Sequence, residues 1–203
     1  MAAGRVTTGF SLPYVAEYAA EAGVVTYSNP TKLARGVRGQ IEPEVADNND
    51  FYADNVKAES IDGTFTGGTL TLEVDGLLAA AEKLIFGLPD AATVNGITVQ
   101  QYGDEADPPY LGVGFIYRFM SGGVTTYVPI VLTKVKFNLP TNEAQTQGEE
   151  IDWQTQELTG QIMRDDSTNH NWKMVGTATY STEADAETAL KTILGYVAPS
   201  GTP

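Results

Sequence analysis

The chain has no cysteine and a single histidine, His170. The first absence excludes a disulfide framework, thiolate catalysis and cysteine-ligated zinc, and is neutral about compartment. The second leaves any Ser-His-Asp arrangement one possible base. Cations are also scarce: 12 Lys and Arg stand against 26 Asp and Glu, for a formal net charge of -14. Such a field keeps a monomer soluble and repels polyanions at long range. It argues against a sequence-reading nucleic-acid binder, which needs cations to displace counterions from phosphates. It does not argue against a protein past which a polyanion must slide without sticking.

No run of about 18 apolar residues occurs, so no membrane insertion is expected. The residues up to Gly23 have no apolar stretch after Arg5 and do not read as a secretory signal. The expectation is a protein made and kept in a cytoplasm unless it leaves as part of a particle. No low-complexity linker divides the 203 residues, and no repeat of about 20–50 residues stands out. A single domain, 1–203, is expected. Its core lies at about 10–195, and the tail 196–203 reads as mobile. A chain this long buries roughly 70% of its unfolded surface and needs no metal or disulfide staple.

What is present is strand periodicity. Residues 12–19 alternate, and with Gly23-Val24-Val25-Thr26-Tyr27 they read as two strands joined at Glu21–Gly23. Val37 to Glu44 is extended and ends in the polar loop Asp47-Asn48-Asn49-Asp50. Residues 60–74 read as one long strand with Leu70, Leu72 and Val74 on one face, and Gly67-Gly68 inside it predicts a bulge or a close backbone approach. A helix follows over 75–86, with Asp75 as N-cap, a stripe of Leu77, Leu78, Ala81, Leu84 and Ile85, and a stop at Gly87 and Pro89. Residues 90–109 read as a loop or small hairpin. Tyr110–Met120 and Val124–Leu139, joined by Ser121-Gly122-Gly123, are the clearest hairpin, with Pro129 marking an edge or bulge. Residues 149–163 read as a long polar strand and 172–180 as another. A last helix, 183–194, starts at the Thr182/Asp185 capping pair and buries Ala186, Ala189, Leu190, Ile193 and Leu194.

Catalytic and metal constellations are weak. His170 lies in the turn composition Asp165-Asp166-Ser167-Thr168-Asn169-His170-Asn171 and reads as a solvent-exposed turn residue. Asp47-Asn48-Asn49-Asp50 has the acidity of a calcium loop, but Phe51 occupies the third ligand position and the glycine is missing. Asp104, Glu105 and Asp107 read as a solvated loop. Gly112-Val113-Gly114 lacks the third glycine of a dinucleotide fingerprint and runs into a strand. Glu149 and Glu150 are adjacent on a strand and point to opposite faces, so they do not converge on one glycosidic bond. No enzyme activity and no cofactor are implied. Lys32, Arg35 and Arg38 form a basic group that reads either as solvated surface or as a contact for an acidic patch on another copy.

Three stretches carry a resemblance: Gly23 to Tyr27 with Pro30 after it, leading to Asp50-Phe51-Tyr52-Ala53-Asp54-Asn55; the strand Gly67–Val74 running directly into the first helix; and Thr125–Leu139 followed by a polar connection and the strand Glu150–Met163. Their order, over about residues 10–195, resembles the major tail protein family of long-tailed phages with non-contractile tails. The C-terminal helix departs from that pattern and reads as an elaboration or docking element.

The resemblance implies a mainly β fold, a β-sandwich or partial barrel of the phage tail tube type with two flanking amphipathic helices. It implies a virion protein, assembled in the host cytoplasm, that stacks in hexameric rings around a tape-measure protein. Tail terminator and distal tail proteins are its further partners, and double-stranded DNA is a transient passenger without sequence readout. The tube component of a type VI or phage-derived secretion system is the alternative, and a secreted β-sandwich adhesin a more distant one. Strands 37–44, 60–74, 124–139 and 149–163 are the candidate wall. The last is too polar for burial on both faces, so Asp152, Gln154, Gln156 and Glu157 are candidates to face a hydrated lumen. Asp50, Phe51, Tyr52 and Asp54, with Lys32, Arg35 and Arg38, are the candidate subunit contacts. Phe51 and Tyr52, aromatic within a polar loop, either meet another subunit or fold back on their own sheet.

Overall fold

Runs of β-branched and aromatic residues broken by Gly-containing turns give a mainly β chain with two helices. In this computed structural model the described residues are 4–47, 49–53, 56–61, 63–140 and 154–195. In chain order the elements are β1 (Val6–Glu21), β2 (Val24–Lys32), β3 (Gly36–Val45), β4 (Asn49–Ala53), β5 (Val56–Ile61), β6 (Phe65–Val74), α1 (Ala79–Phe86), β7 (Ala92–Val94), β8 (Ile97–Val99), β9 (Leu111–Ser121), β10 (Val124–Phe137), β11 (Gln156–Met163), β12 (Lys173–Val175) and α2 (Glu183–Ile193). The main sheet is antiparallel, in the order β2-β1-β9-β10-β11-β6-β3, with β12 also paired to β10. The β4–β5 and β7–β8 ladders stand as separate two-stranded ribbons.

The sheet curls until its far end returns over β1. There the Phe10 ring lies against Gly36 and Gly39 of β3, where a Cβ would come within 2.2 and 2.9 Å of ring carbons. Only glycine lets the two strands approach this closely. The resulting partial barrel encloses Val15, Leu70, Leu72, Val74, Val113, Phe115, Leu132, Phe137, Leu158 and Ile162, with Ala81, Ile85 and Phe86 of α1 packed into the same core.

A second apolar layer lies outside the roll. Tyr14 and Ala16 of β1, Ile116 of β9 and Val131 of β10 meet Ala186, Leu190 and Leu194 beneath α2. Period-two alternation sends successive residues to opposite layers, so β9 from Leu111 to Ile116 and β10 from Val128 to Thr133 are buried without interruption. Gly112 and Gly114 make room on the outer side, the first for the Tyr27 ring and the second for Leu190 and Leu194.

Several elements match the expectations from sequence. The β1–β2 turn is Ala22-Gly23, and the β9–β10 turn is Gly122-Gly123 with φ of 57° and 82°, a succession of positive φ that glycine adopts at no steric cost. Gly87 ends α1 in the left-handed region. Thr182 caps α2, accepting from the Asp185 N–H and donating to its carboxylate. The β7–β8 ribbon is the small hairpin anticipated within 90–109. Gly68 is a close approach, since a Cβ there would lie 2.7 Å from the Glu42 carbonyl oxygen.

Others differ, each for a local reason. The strand expected over 60–74 is two strands, because the chain closes at its stem: Ala46 N–H donates to the Thr64 carbonyl, and Gly63 passes where a Cβ would clash with Ala46 O. Asn49 and Asp50, read as loop, belong to β4. Asp75 does not cap α1. Its carboxylate accepts from the Arg35 backbone N–H and guanidinium, and the helix starts later, at Ala79, with Leu78 at the N-cap and no side-chain bond. Leu78, assigned to the buried stripe, is exposed, and so is Ile193 of α2 at its margin.

The strand expected over 149–163 begins at Gln156, opposite Val74, the last residue of β6. Residues 149–153 lie outside the described residues. The strand expected over 172–180 is only β12 plus a bridge of Tyr180 to Tyr127. Pro129 has no N–H to extend the ladder, so it accepts once from Gly176, and pairing resumes two residues away at Tyr127.

Leu190 is fully buried in the outer layer, whereas Ile193 on the same helix is 37% exposed. Leu190→Ala is expected to destabilise the chain by about 2–5 kcal/mol in chemical denaturation. Ile193→Ala is expected to cost less than about 1 kcal/mol. Equal losses would contradict this packing of α2.

Candidate functional site

The two halves of the rolled sheet differ in what covers them. β1, β9 and β10 carry α2 on their outer face. On β3, β6 and β11 the outward positions are mostly polar, with Val37 and Val45 of β3 as exposed exceptions, and among the described residues no helix packs over them. The alternation that buries Leu70, Leu72 and Val74 turns Thr69, Thr71 and Glu73 outward, and β11 turns out Glu157, Thr159 and Gln161 while burying Leu158 and Ile162.

The registers align these side chains in cross-strand rows: Arg38, Glu73 and Glu157; Gln40, Thr71 and Thr159; Glu42, Thr69 and Gln161. Bonds along the surface knit them together. Arg38 donates to Gln40, Gln40 to Glu42 at 2.5 Å, Thr155 to Glu73 at 2.5 Å and Asn138 to Thr159 at 3.3 Å. Four carboxylates, those of Glu42, Glu44, Glu73 and Glu157, share this face with Arg38. Lys136 sits at its β10 border, paired to Asp107 at 3.5 Å.

The lumen candidates from sequence divide here. Glu157 lies on the polar face. Gln156 is on the core-facing register of β11, and its side-chain oxygen accepts from the Leu77 N–H at 3.3 Å, tying the strand to the approach of α1. Gln154 precedes the strand and lines a cleft of about 730 Å³ with Asp75, Glu82 and Gln156. Asp152 lies outside the described residues. On β6 the Leu-Thr-Leu alternation of 69–74 signals which residues point outward, while Glu42, Glu44 and Glu73 reach the same face as Glu157 through cross-strand register.

The basic group also divides. Arg35 is engaged by Asp75, whose carboxyl it holds below the usual range through hydrogen bonding. Arg38 belongs to the polar face. Lys32, at the end of β2, lies in a different place: a cleft of about 480 Å³ between β2 and α2, lined by Tyr14, Pro30, Lys32, Thr188 and Lys191. Beside it Glu187 accepts from the Tyr14 hydroxyl at 2.5 Å and from Lys191 at 2.7 Å, and the Lys191 amine stands 5.1 Å over the Tyr14 ring. The hydrogen bond from Lys191, then that from Tyr14, holds the Glu187 carboxyl below its ordinary range. The same bond with Glu187 raises Lys191. Ser11 donates to Glu183, adding a second carboxylate anchor between β1 and α2.

Of the loop residues proposed for contact, Asp50, Phe51 and Tyr52 lie on β4, opposite Ser60, Glu59 and Lys57 of β5, with an irregularity between Phe51 and Tyr52. Asp54 lies outside the described residues. The β4–β5 ribbon continues the β3–β6 pair past the stem at Ala46 and Thr64, and its strands pair only with each other among the described residues. His170 is exposed in a turn at φ 48°, as its neighbours suggested, with its N–H bonded to Ser167 O. Among the described residues no helix is long and apolar enough to cross a membrane. No protein-family model matches the chain, and no curated protein matches it.

The Glu187 anchor has a definite pH sign. Because its folded pKa is depressed, its contribution is complete above the ordinary value of 4.5 and is lost as pH falls through the lower folded value. Acid unfolding monitored by circular dichroism is therefore expected to be less steep below pH 4.5 in Glu187→Gln than in the parent chain. Identical acid profiles would rule the anchor out.

Proposed function

We propose that this chain is a structural subunit that self-assembles into stacked rings of the phage tail tube type, around a channel through which double-stranded DNA passes. The observation that carries the reading is the inequality of the sheet's two outer faces. One half is sealed by a helix, and the other presents hydroxyls, amides and carboxylates in ordered rows. A tube wall needs this combination: an outside that can be covered, and an inside that stays wet. Resemblance of the sequence order to major tail proteins supports the same reading independently.

Charge is consistent with passage rather than capture. Duplex DNA carries one negative charge per ~1.7 Å of axis, and cations that neutralise it release counterions and bind it tightly at low salt. The polar face holds four carboxylates against Arg38. At a Debye length of about 8 Å only charges on the lumen surface act on the passenger, so this face matters more than the total of -14.

The projecting β4–β5 ribbon supplies the second element. A lone two-stranded ribbon is marginal in water, and contact with another subunit would stabilise it. On this reading Phe51 and Tyr52 belong to that contact, and self-association is the chain's principal activity. Tape-measure, terminator and distal tail proteins are its partners within the particle.

Negative-stain microscopy of the purified chain is expected to reveal rings or tubes of uniform diameter. Particles that stay monomeric at every salt and protein concentration, with or without a tail initiation complex, would overturn the proposal. Phe51→Ala/Tyr52→Ala is expected to abolish polymerisation and leave a folded monomer by circular dichroism. A misfolded monomer would instead place these aromatics in the subunit's own fold. Replacing Glu42, Glu44, Glu73 and Glu157 together by Lys is expected to yield assemblies that retain DNA at low salt and release it as salt rises. Unchanged DNA retention would remove the polar face from the channel.

A further inference from the structure

Most cations among the described residues are engaged within the chain. Arg35 is paired to Asp75, Lys83 to Asp90, Lys134 to Asp166 and Lys136 to Asp107. Lys32 is different. It makes no ion pair among the described residues, although it lies in a formed cleft and within electrostatic reach of Glu187. That carboxylate already accepts from Tyr14 and Lys191. Two lysines therefore face one acid, which leaves the cleft one positive charge in excess on a chain of formal charge -14. The walls are Pro30, which offers no N–H, and Thr188, which offers a hydroxyl. Such a cleft suits an incoming carboxylate.

The chain carries a segment of matching character. Between Asp47 and Ile61 the sequence has Asp47, Asp50, Asp54 and Glu59 against Lys57 alone. This is the ribbon whose strands pair only with each other among the described residues. We propose that the β2–α2 cleft receives the acidic β4–β5 ribbon of a second copy, with Asp50 of that copy meeting Lys32. The contact is heterologous, joining different patches on two identical chains, and contacts of this kind generate closed rings or open stacks. Charge pairing here sets which copy faces which, more than it adds to affinity. It also assigns α2, the element outside the tail-protein pattern, a role as one wall of the receptor. The inference rests on the self-assembly reading and adds the partner surfaces to it.

A charge-swap experiment tests it. Lys32→Glu and Asp50→Lys are made separately and together in the full chain, and assembly is followed by sedimentation and microscopy. Unchanged thermal midpoints confirm that each variant is folded, and Lys32→Gln serves as a milder form should the Glu variant lose stability beside Glu187. Each single variant is expected to need about tenfold more protein to assemble, with the deficit shrinking as salt screens the repulsion. The double variant, and an equimolar mixture of the two single variants, are expected to assemble at the parental concentration, since residue 50 of every ribbon then meets a residue 32 of opposite sign. Assembly of Lys32→Glu or Asp50→Lys alone at the parental concentration would overturn the pairing while leaving the tube reading intact. So would single-variant defects that neither the double variant nor the mixture repairs. Failure of the parental chain itself to assemble would overturn the tube reading and this inference with it.

Discussion

The middle stretches of β1, β9 and β10 are buried on both faces, and the rest of the molecule is arranged around that constraint. A strand in this position needs apolar or very small residues at every site, and Leu111-Gly112-Val113-Gly114-Phe115-Ile116 meets the requirement. Its two glycines lie on the outer side, where Tyr27 and the leucines of α2 press against the backbone. Larger residues there would lift the helix and open the layer that holds Tyr14, Ala16, Ile116 and Val131. The same strands present Val15, Val113, Phe115 and Leu132 to the interior. The helix and the roll are therefore coupled through one central unit.

The opposite half of the roll is under no such demand. β3, β6 and β11 need one apolar face, and their outward positions are open to polar residues of any sign. Those positions hold threonine, glutamine and glutamate in aligned rows, with hydrogen bonds running along the surface. Cross-strand neighbours at this spacing interact, and the amide and hydroxyl links hold the carboxylates at defined places on the sheet. Closure of β3 against Phe10 keeps this polar wall attached to the covered one. Together they make a plate with a sealed side and a wet side, the architecture on which the tube proposal depends.

Legibility in the sequence followed the range of the interaction involved. Gly122-Gly123, Gly87 and the Thr182/Asp185 cap act within a few residues, and each was readable because the backbone or a nearby N–H specifies the residue. Asp75 looked like a cap by the same local logic. It was claimed instead by Arg35, which lies 40 positions away in sequence, and a charge-assisted bond of that kind displaces a weaker local one. Strand lengths were overestimated wherever the partner strand ended first, as at Gln156 opposite Val74, since a strand extends only as far as something pairs with it. The candidate site was half legible. Glu157 was found through the polarity of its own strand, whereas Glu42, Glu44 and Glu73 joined it only through cross-strand register.

By itself, the sequence determined the class of the protein: β-rich, acidic, without cysteine, and with two amphipathic helices whose stops and one of whose caps are written locally. Alternation in 69–74 and in 156–162 also determined that one face of each strand must be apolar and the other wet. Only the tertiary structure decided that these wet faces lie side by side, that α2 covers the other half, and that Lys32 parts company with Arg35 and Arg38 to share a cleft with Lys191. The reason is that periodicity specifies which way a side chain points from its own backbone. Which backbone lies beside it depends on strand order and register, and these are set by long-range contacts such as Phe10 on Gly36 and Gly39 that no local pattern encodes.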